Sequence, residues 1–340
     1  VNIPRFLCSG KTFYKLHSRN NNLLLMRLLA AIAVAVSYSS YFFFPSLLPY
    51  YFHLLSDNSV YIFFLISGFL ITKSSQSRSV GQFLINRIKR VYPALILNLI
   101  AISFMFAPLV SRSSQKQLQV KDQLLYFIKG LTLVPSWQIS IGDSLSYSKV
   151  STGWNNPLWT IGIEVMCYLS IIVIVRWFAR LIPSLTGILM LCALLTNFTA
   201  WSSGSLASTY IHYLFVFLLG GFASLNSNAR QIYTMVILIL AVVIGTQNYG
   251  LLWYPVLLVV VLMIAAADIP IKIDLKNDYS YGIYLWHWPV LQLISNLEVG
   301  SNRLVNYLLF ICCTFLFSIG SWHFLEKPFL AHKSKLMSEN

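Results

Sequence analysis

Residues 158–176 read LWTIGIEVMCYLSIIVIVR, an apolar run with Trp159 at its start, Arg176 at its end and Glu164 as its single carboxylate. A stretch of about 18 or more apolar residues with few charges is long enough to cross a bilayer as a helix. Working outward from it, the same pattern recurs along the chain. Spans are predicted at 22–44, 59–73, 91–110, 158–176, 184–201, 207–225, 231–246, 251–267, 279–296 and 303–325. The second and seventh are short for a span of about 20 residues, which tilt or a misdrawn boundary would accommodate. The stretch 124–135 is apolar but too short to cross and is expected to lie at the interface or to re-enter. The fold class this predicts is an all-α polytopic integral membrane protein of about ten transmembrane helices.

Composition agrees. Hydrophobic residues make up 57% of the 340 and charged residues 10%, against roughly 25% charge in a soluble domain. Too little polar surface exists to cover such a chain in water, so lipid must. The net charge of +14 first suggests nucleic acid, but the basic residues sit in short gaps between apolar runs, which is how membrane proteins carry them. No nucleic-acid partner is expected. Cys8, Cys167, Cys192, Cys312 and Cys313 form no CxxC pair, so neither a metal site nor a disulfide framework is indicated. The first apolar run comes after about twenty polar and basic residues without a recognisable cleavage site, and is read as the first span rather than a signal peptide.

The basic residues also orient the spans. Arg5, Lys11, Lys15 and Arg19 precede the first. Lys73, Arg78, Arg87, Lys89 and Arg90 fill the second gap. Arg176 and Arg180, then Arg230, then Lys272 and Lys276 occupy later alternate gaps, and Lys327, Lys333 and Lys335 come after the last span. The gaps 45–58, 202–206 and 247–250 hold no Lys or Arg. This alternation puts both termini in the cytoplasm. The gap 111–157 falls outside yet contains Arg112, Lys116, Lys121 and Lys149; long loops obey the charge rule less strictly. The expected organisation is a tail at 1–21, a transmembrane domain at 22–325 and a second tail at 326–340.

Four polar groups inside the spans call for explanation. Glu164 is the one carboxylate well within an apolar run. Placing it there costs about 2.5–3.5 kcal/mol on insertion scales, and such residues usually face a cavity or a partner. It is a candidate acid or base, or half of a structural ion pair. Arg27 and Tyr38 stand eleven residues apart on the first span, about three turns plus 20° and about 16 Å along the axis, so they share a face. The plainer alternative is an arginine that snorkels and a tyrosine in an aromatic lining. His287 lies at mid-depth in SYGIYLWHWPV (280–290), either as a proton shuttle or as a hydrogen-bonded member of a packed aromatic cluster. Pro289 beside it frees backbone carbonyls, a common feature next to a cavity. The cationic stretch Arg87, Lys89, Arg90 reads as anchoring on anionic lipid or as a cradle for phosphates.

Taken in order, these motifs resemble acyltransferase family three, the bacterial membrane acyltransferases. Arg27, ten residues, then position 38 has the spacing of that family's arginine-x10-histidine motif, and Leu28-Leu29-Ala30-Ala31, directly after the arginine, fits the same motif. FFLISGFLIT (63–72), FLINRIKRVYP (83–93), NPLWTIGIE (156–164), SYGIYLWHWPV (280–290) and Glu326-Lys327-Pro328 are similar to its further signatures. The resemblance implies a ten-helix bundle around a central cavity in the bacterial inner membrane. It also implies transfer of an acetyl group from acetyl-CoA to a sugar hydroxyl of an envelope glycan or lipid-linked oligosaccharide, of the stand-alone O-antigen type. Carried over by position, Arg27, Arg87, Lys89 and Arg90 would hold the phosphates of coenzyme A. Glu164 and His287 would belong to the central site, and Trp159, Tyr284 and Ser67 to the acceptor side.

Position 38, where the family carries its catalytic histidine, is Tyr38, within Ser37-Tyr38-Ser39. An unperturbed phenol has a pKa of about 10 against about 6.5 for imidazole and is a poor base at neutral pH. A variant disabled to trap substrate, a natural paralogue that has lost activity, and a tyrosine working with Glu164 or His287 are the open readings. The chain is read here as an impaired enzyme. A glycolipid transporter or flippase, and a non-catalytic donor- or glycan-binding paralogue, are the competing classes; buried charge and broken helices are common to them.

Overall fold

The structure is a computed structural model. It describes residues 23–45, 49–113, 117–134, 140–146, 148, 153–182, 184–189, 206–225, 275, 277–297, 299–300 and 302–330. Among the described residues every regular element is a helix. They are α1 (Leu23–Phe43), α2 (Pro49–Gln76), α3 (Val80–Ser113), α4 (Val120–Thr132), α5 (Leu158–Trp177), α6 (Leu206–Leu225), α7 (Ser280–Leu297) and α8 (Arg303–Leu330), with shorter helical pieces at 179–181 and 184–189. Four of them, α1, α3, α5 and α8, are long and apolar enough to cross a membrane. Large apolar side chains point out of the protein along these helices: Met105 is 57% exposed, Leu316 68% and Phe324 82%. Such surfaces are stable against lipid and not against water.

The helices run longer than the apolar runs that predict them. The expectation of 59–73 becomes α2 of 28 residues, because His53, Asp57 and Asn58 interrupt the hydropathy but not the backbone helix. Likewise 91–110 becomes the 34 residues of α3, whose first turns carry Arg87, Lys89 and Arg90. One turn of π-helix interrupts α3 at Ile102–Phe106 and α8 at Trp322–Glu326. The short stretch at 124–135 is α4, 13 residues long, closed by Leu133 in the left-handed conformation. Of the expected span 184–201 only 184–189 is described, and the spans 231–246 and 251–267 lie outside the described residues.

The chain divides into two compact units. The first comprises Val1–Ala30, Asn58–Val80 and Met166–Lys276. In it α2 and α6 meet through glycines. A Cβ on Gly68 would stand 1.9 Å from the carbonyl oxygen of Phe217, and one on Gly220 2.0 Å from that of Leu65. Small residues are what let helix backbones approach this closely in lipid. Tyr213 of α6 stacks on Tyr61 of α2 at 5.0 Å between centroids, and the hydroxyls of Ser170 and Tyr210 bond α5 to α6.

The second unit comprises Ala31–Asp57, Gly81–Val165 and Asn277–Asn340. Its centre is α7, buried without interruption from Ser280 to Gln292. Trp286 of α7 stacks on Phe317 of α8 at 4.9 Å, and Phe106 of α3 meets both rings edge-on. A helix apolar on all sides is one that other helices enclose, and α7 meets that description apart from its hydrogen-bonded polar groups.

Candidate functional site

The site is built on the break in α7. Pro289 has no N–H, so the carbonyl four residues earlier, that of Leu285, loses its intrahelical donor. Two buried amides replace it. Asn98 of α3 donates from Nδ2 to the Leu285 oxygen at 3.2 Å, and Asn155 from Nδ2 to the same oxygen at 3.4 Å. Asn155 also donates to Oδ1 of Asn98 at 3.0 Å. The segment before α5 is tied to α7 twice more: Trp288 Nε1 and Gln292 Nε2 both donate to the carbonyl of Gly153, at 3.0 and 2.8 Å. The proline kink thus fixes both α3 and the entry to α5 against α7.

This frame holds His287. The ring is fully buried, and its Nδ1 lies 2.7 Å from the carbonyl of Tyr284. A carbonyl only accepts, so Nδ1 carries the proton and Nε2 keeps its lone pair. Among the described residues the buried Nε2 has no hydrogen-bond partner. Tyr38 of α1 stacks on the imidazole, 5.9 Å between centroids and 23° between planes, and meets Trp288 edge-on at 5.1 Å. Tyr284 also packs against the histidine, 5.6 Å between centroids and tilted by 56°. Its hydroxyl is held 2.6 Å from that of Thr160, one turn before Glu164 on α5. Glu164 stands within electrostatic range of Tyr281 and Tyr284, and Tyr38 within range of Tyr284. The second unit therefore gathers Tyr38, Glu164, Tyr284 and His287. It offers an imidazole lone pair, phenols and a carboxylate in a low-dielectric setting, a set suited to proton transfer.

The other predicted residues are distributed over both units. Trp159 lies half-buried on the first turn of α5. On α3, Lys89 is half-buried and the Arg87 guanidinium stands over the Phe83 ring at 5.8 Å. Arg90 reaches two carboxylates: Nη2 is 2.6 Å from Asp278 Oδ2 and Nη1 3.2 Å from Glu326 Oε2. The guanidinium also stands over Tyr281 and Trp322. Glu326 is completely buried and sits on the π turn of α8, where its other oxygen accepts from the Ser321 hydroxyl. Arg27 and Ser67 belong to the first unit; Arg27 is half-buried and Ser67 buried.

Sequence reasoning missed Asn98, Asn155, Thr160 and Asp278. Asn98 carried a usable signal, since an uncharged amide inside an apolar run needs a partner in the membrane. Nothing in the sequence pairs Asp278 with Arg90 across nearly two hundred residues.

The family model described as Acyltransferase domain matches residues 20–323. Among curated proteins the chain is similar to an O-acetyl transferase of Shigella phage Sf6, 27% identical over 313 residues, covering 85% of this chain and 90% of the relative. It is also similar to Nodulation protein 10 of Rhizobium leguminosarum bv. viciae, 32% identical over 123 residues, covering 35% and 33%. No solved structure matches it. With the match running over nearly its whole length, this chain belongs to acyltransferase family three.

Proposed function

We propose that this chain is a multi-pass O-acyltransferase of the bacterial inner membrane, with ten spans and both termini cytoplasmic. Its donor is acetyl-CoA and its acceptor a sugar hydroxyl of an envelope glycan or lipid-linked oligosaccharide. Tyr38 leaves its transfer step impaired. Family membership supports acyl transfer, and the similarity to a phage O-acetyl transferase supports acetyl as the group moved. The observation that carries the reading is the stack of Tyr38 on His287 with Tyr284 beside it, Glu164 lying in electrostatic range of Tyr284. Position 38 packs on α7 at its histidine and at Trp288.

In a form with histidine at 38, that imidazole takes the proton of the acceptor hydroxyl as its oxygen attacks the thioester carbonyl. The carbon–sulfur bond breaks and the coenzyme A thiolate leaves with a proton. Glu164 orients or tunes the base, the third-group role of a triad. Arg87 and Lys89 of α3 hold the donor's phosphates and supply positioning. Arg90, whose guanidinium already bonds two carboxylates, supports the wall on which that cradle stands. Trp159 and Tyr284 belong to the acceptor side. With a phenol at 38 the proton has no acceptor of suitable basicity at neutral pH, and binding outlasts chemistry. The test is acetyl content of the surface glycan in cells carrying the chain and its Tyr38→His form. Recovery supports the proposal, and equal, background acetylation in both removes it.

A further inference from the structure

Within the first unit, the turn from Ser75 to Ser79 at the end of α2 faces Val175 and Arg176 at the end of α5 across an open cleft of about 590 Å³. Arg176 closes one side by donating from Nη2 to the carbonyl of Arg78 at 3.2 Å. Arg78 is half-buried and Arg176 exposed. Among the described residues neither guanidinium is paired with a carboxylate. The lining holds two full positive charges, three serine hydroxyls and no acidic side chain.

The positive-inside rule alone would place basic residues at these helix ends, but it requires no cavity. Two arginines converging on a concave, hydroxyl-lined space make a different object. A guanidinium presents paired N–H donors that match a phosphate's oxygens. Basic pockets between spans on the cytoplasmic side are suited to anionic lipid headgroups. The volume is far larger than one phosphate needs and lies in the range of ordinary ligand pockets, so the cleft admits a phosphate alone or one carrying a larger group. Ser75 commits its hydroxyl to the Thr72 carbonyl at 2.8 Å, which leaves the arginines as the principal recognition elements.

We propose that this cleft of the first unit is a phosphate-binding site, filled by the headgroup of an anionic phospholipid or by a soluble phosphate. The proposal does not depend on acyl transfer. Native mass spectrometry of the purified full chain, titrated with phosphatidylglycerol against a phosphatidylcholine background and separately with inorganic phosphate, tests it. One saturable equivalent of phosphatidylglycerol identifies the headgroup as the source. Saturable binding of inorganic phosphate alone identifies the soluble ion. In either case the Arg78→Gln/Arg176→Gln pair weakens binding by about tenfold or more, as expected for lost charge-assisted bonds, and the Arg78→Lys/Arg176→Lys pair retains part of it. Binding of neither probe by the native chain overturns the proposal. So does binding that the glutamine pair leaves unchanged while both pairs keep the native elution volume.

Discussion

The ring of Tyr38 lies nearly parallel to that of His287, with centroids 5.9 Å apart and 23° between the planes. An aromatic body at position 38 therefore fills a defined slot against α7, and the phenolic oxygen is the part that departs from imidazole chemistry. Tyr38→Phe keeps the ring and removes the oxygen. Residual acetyl transfer by the purified protein is expected to stay within about twofold of the unsubstituted chain. A loss of about a hundredfold, the usual contribution of a catalytic acid or base, would make the phenol a working catalyst.

The carbonyl released by Pro289 accepts from the amides of Asn98 and Asn155, both almost fully buried. Asn98→Leu removes one donor and leaves the Asn155 amide without the oxygen it also bonds. An unsatisfied buried polar group costs about 1–3 kcal/mol. Thermal unfolding in detergent should show the variant destabilised by that order. No change would mean that Leu285 is satisfied some other way and that the kink does not depend on α3.

The signature FFLISGFLIT owes its glycine to packing. A methyl group at Gly68 meets the Phe217 carbonyl at 1.9 Å, and one at Gly220 meets the Leu65 carbonyl at 2.0 Å. Both obstacles are backbone and do not swing aside. Gly68→Ala should destabilise by about 1–3 kcal/mol or more, the range of overpacked cores, read as a lower unfolding temperature and reduced yield. Gly81, whose added Cβ meets nothing within 4 Å, is the control: Gly81→Ala should be tolerated.

Arg90 bridges Asp278 and the fully buried Glu326. Removing one member of a buried ion pair costs about 3–5 kcal/mol because the other charge is left in the interior. Arg90→Ala should therefore be severely destabilised, and Arg90→Lys only partly better, since an ammonium lacks the planar fork that reaches both carboxylates. Glu326→Gln in the Arg90→Ala background should recover stability relative to Arg90→Ala alone. A double variant no more stable than the single one would show that charge burial is not the cause.

Membrane character and helix positions were legible because hydropathy decides them: the predicted 22–44, 158–176 and 303–325 differ from α1, α5 and α8 by a few residues. The extents of α2 and α3 were not, because His53, Asp57 and the Arg87–Arg90 cluster break an apolar run without breaking a helix. Glu164 and His287 stood out as polar groups in lipid. What α7 needs from its neighbours did not. The proline announces an orphaned carbonyl, yet which side chains answer it is a tertiary fact, settled by Asn98 and Asn155 from two distant segments. The role of Arg90 was hidden for the same reason, since its carboxylate partners lie 188 and 236 residues away.

On the function proposed above, position 38 is the point at which acyl transfer is impaired. The direct measurement is acetyl transfer from acetyl-CoA to surface glycan by the native chain, by Tyr38→His, and by Tyr38→His carrying Glu164→Gln, at matched membrane levels. Tyr38→His should raise transfer by about a hundredfold or more, the scale of general-base catalysis, and most of that gain should be lost when Glu164 is also replaced. Transfer by Tyr38→His no greater than by the native chain, with the protein correctly folded in the membrane, would contradict it.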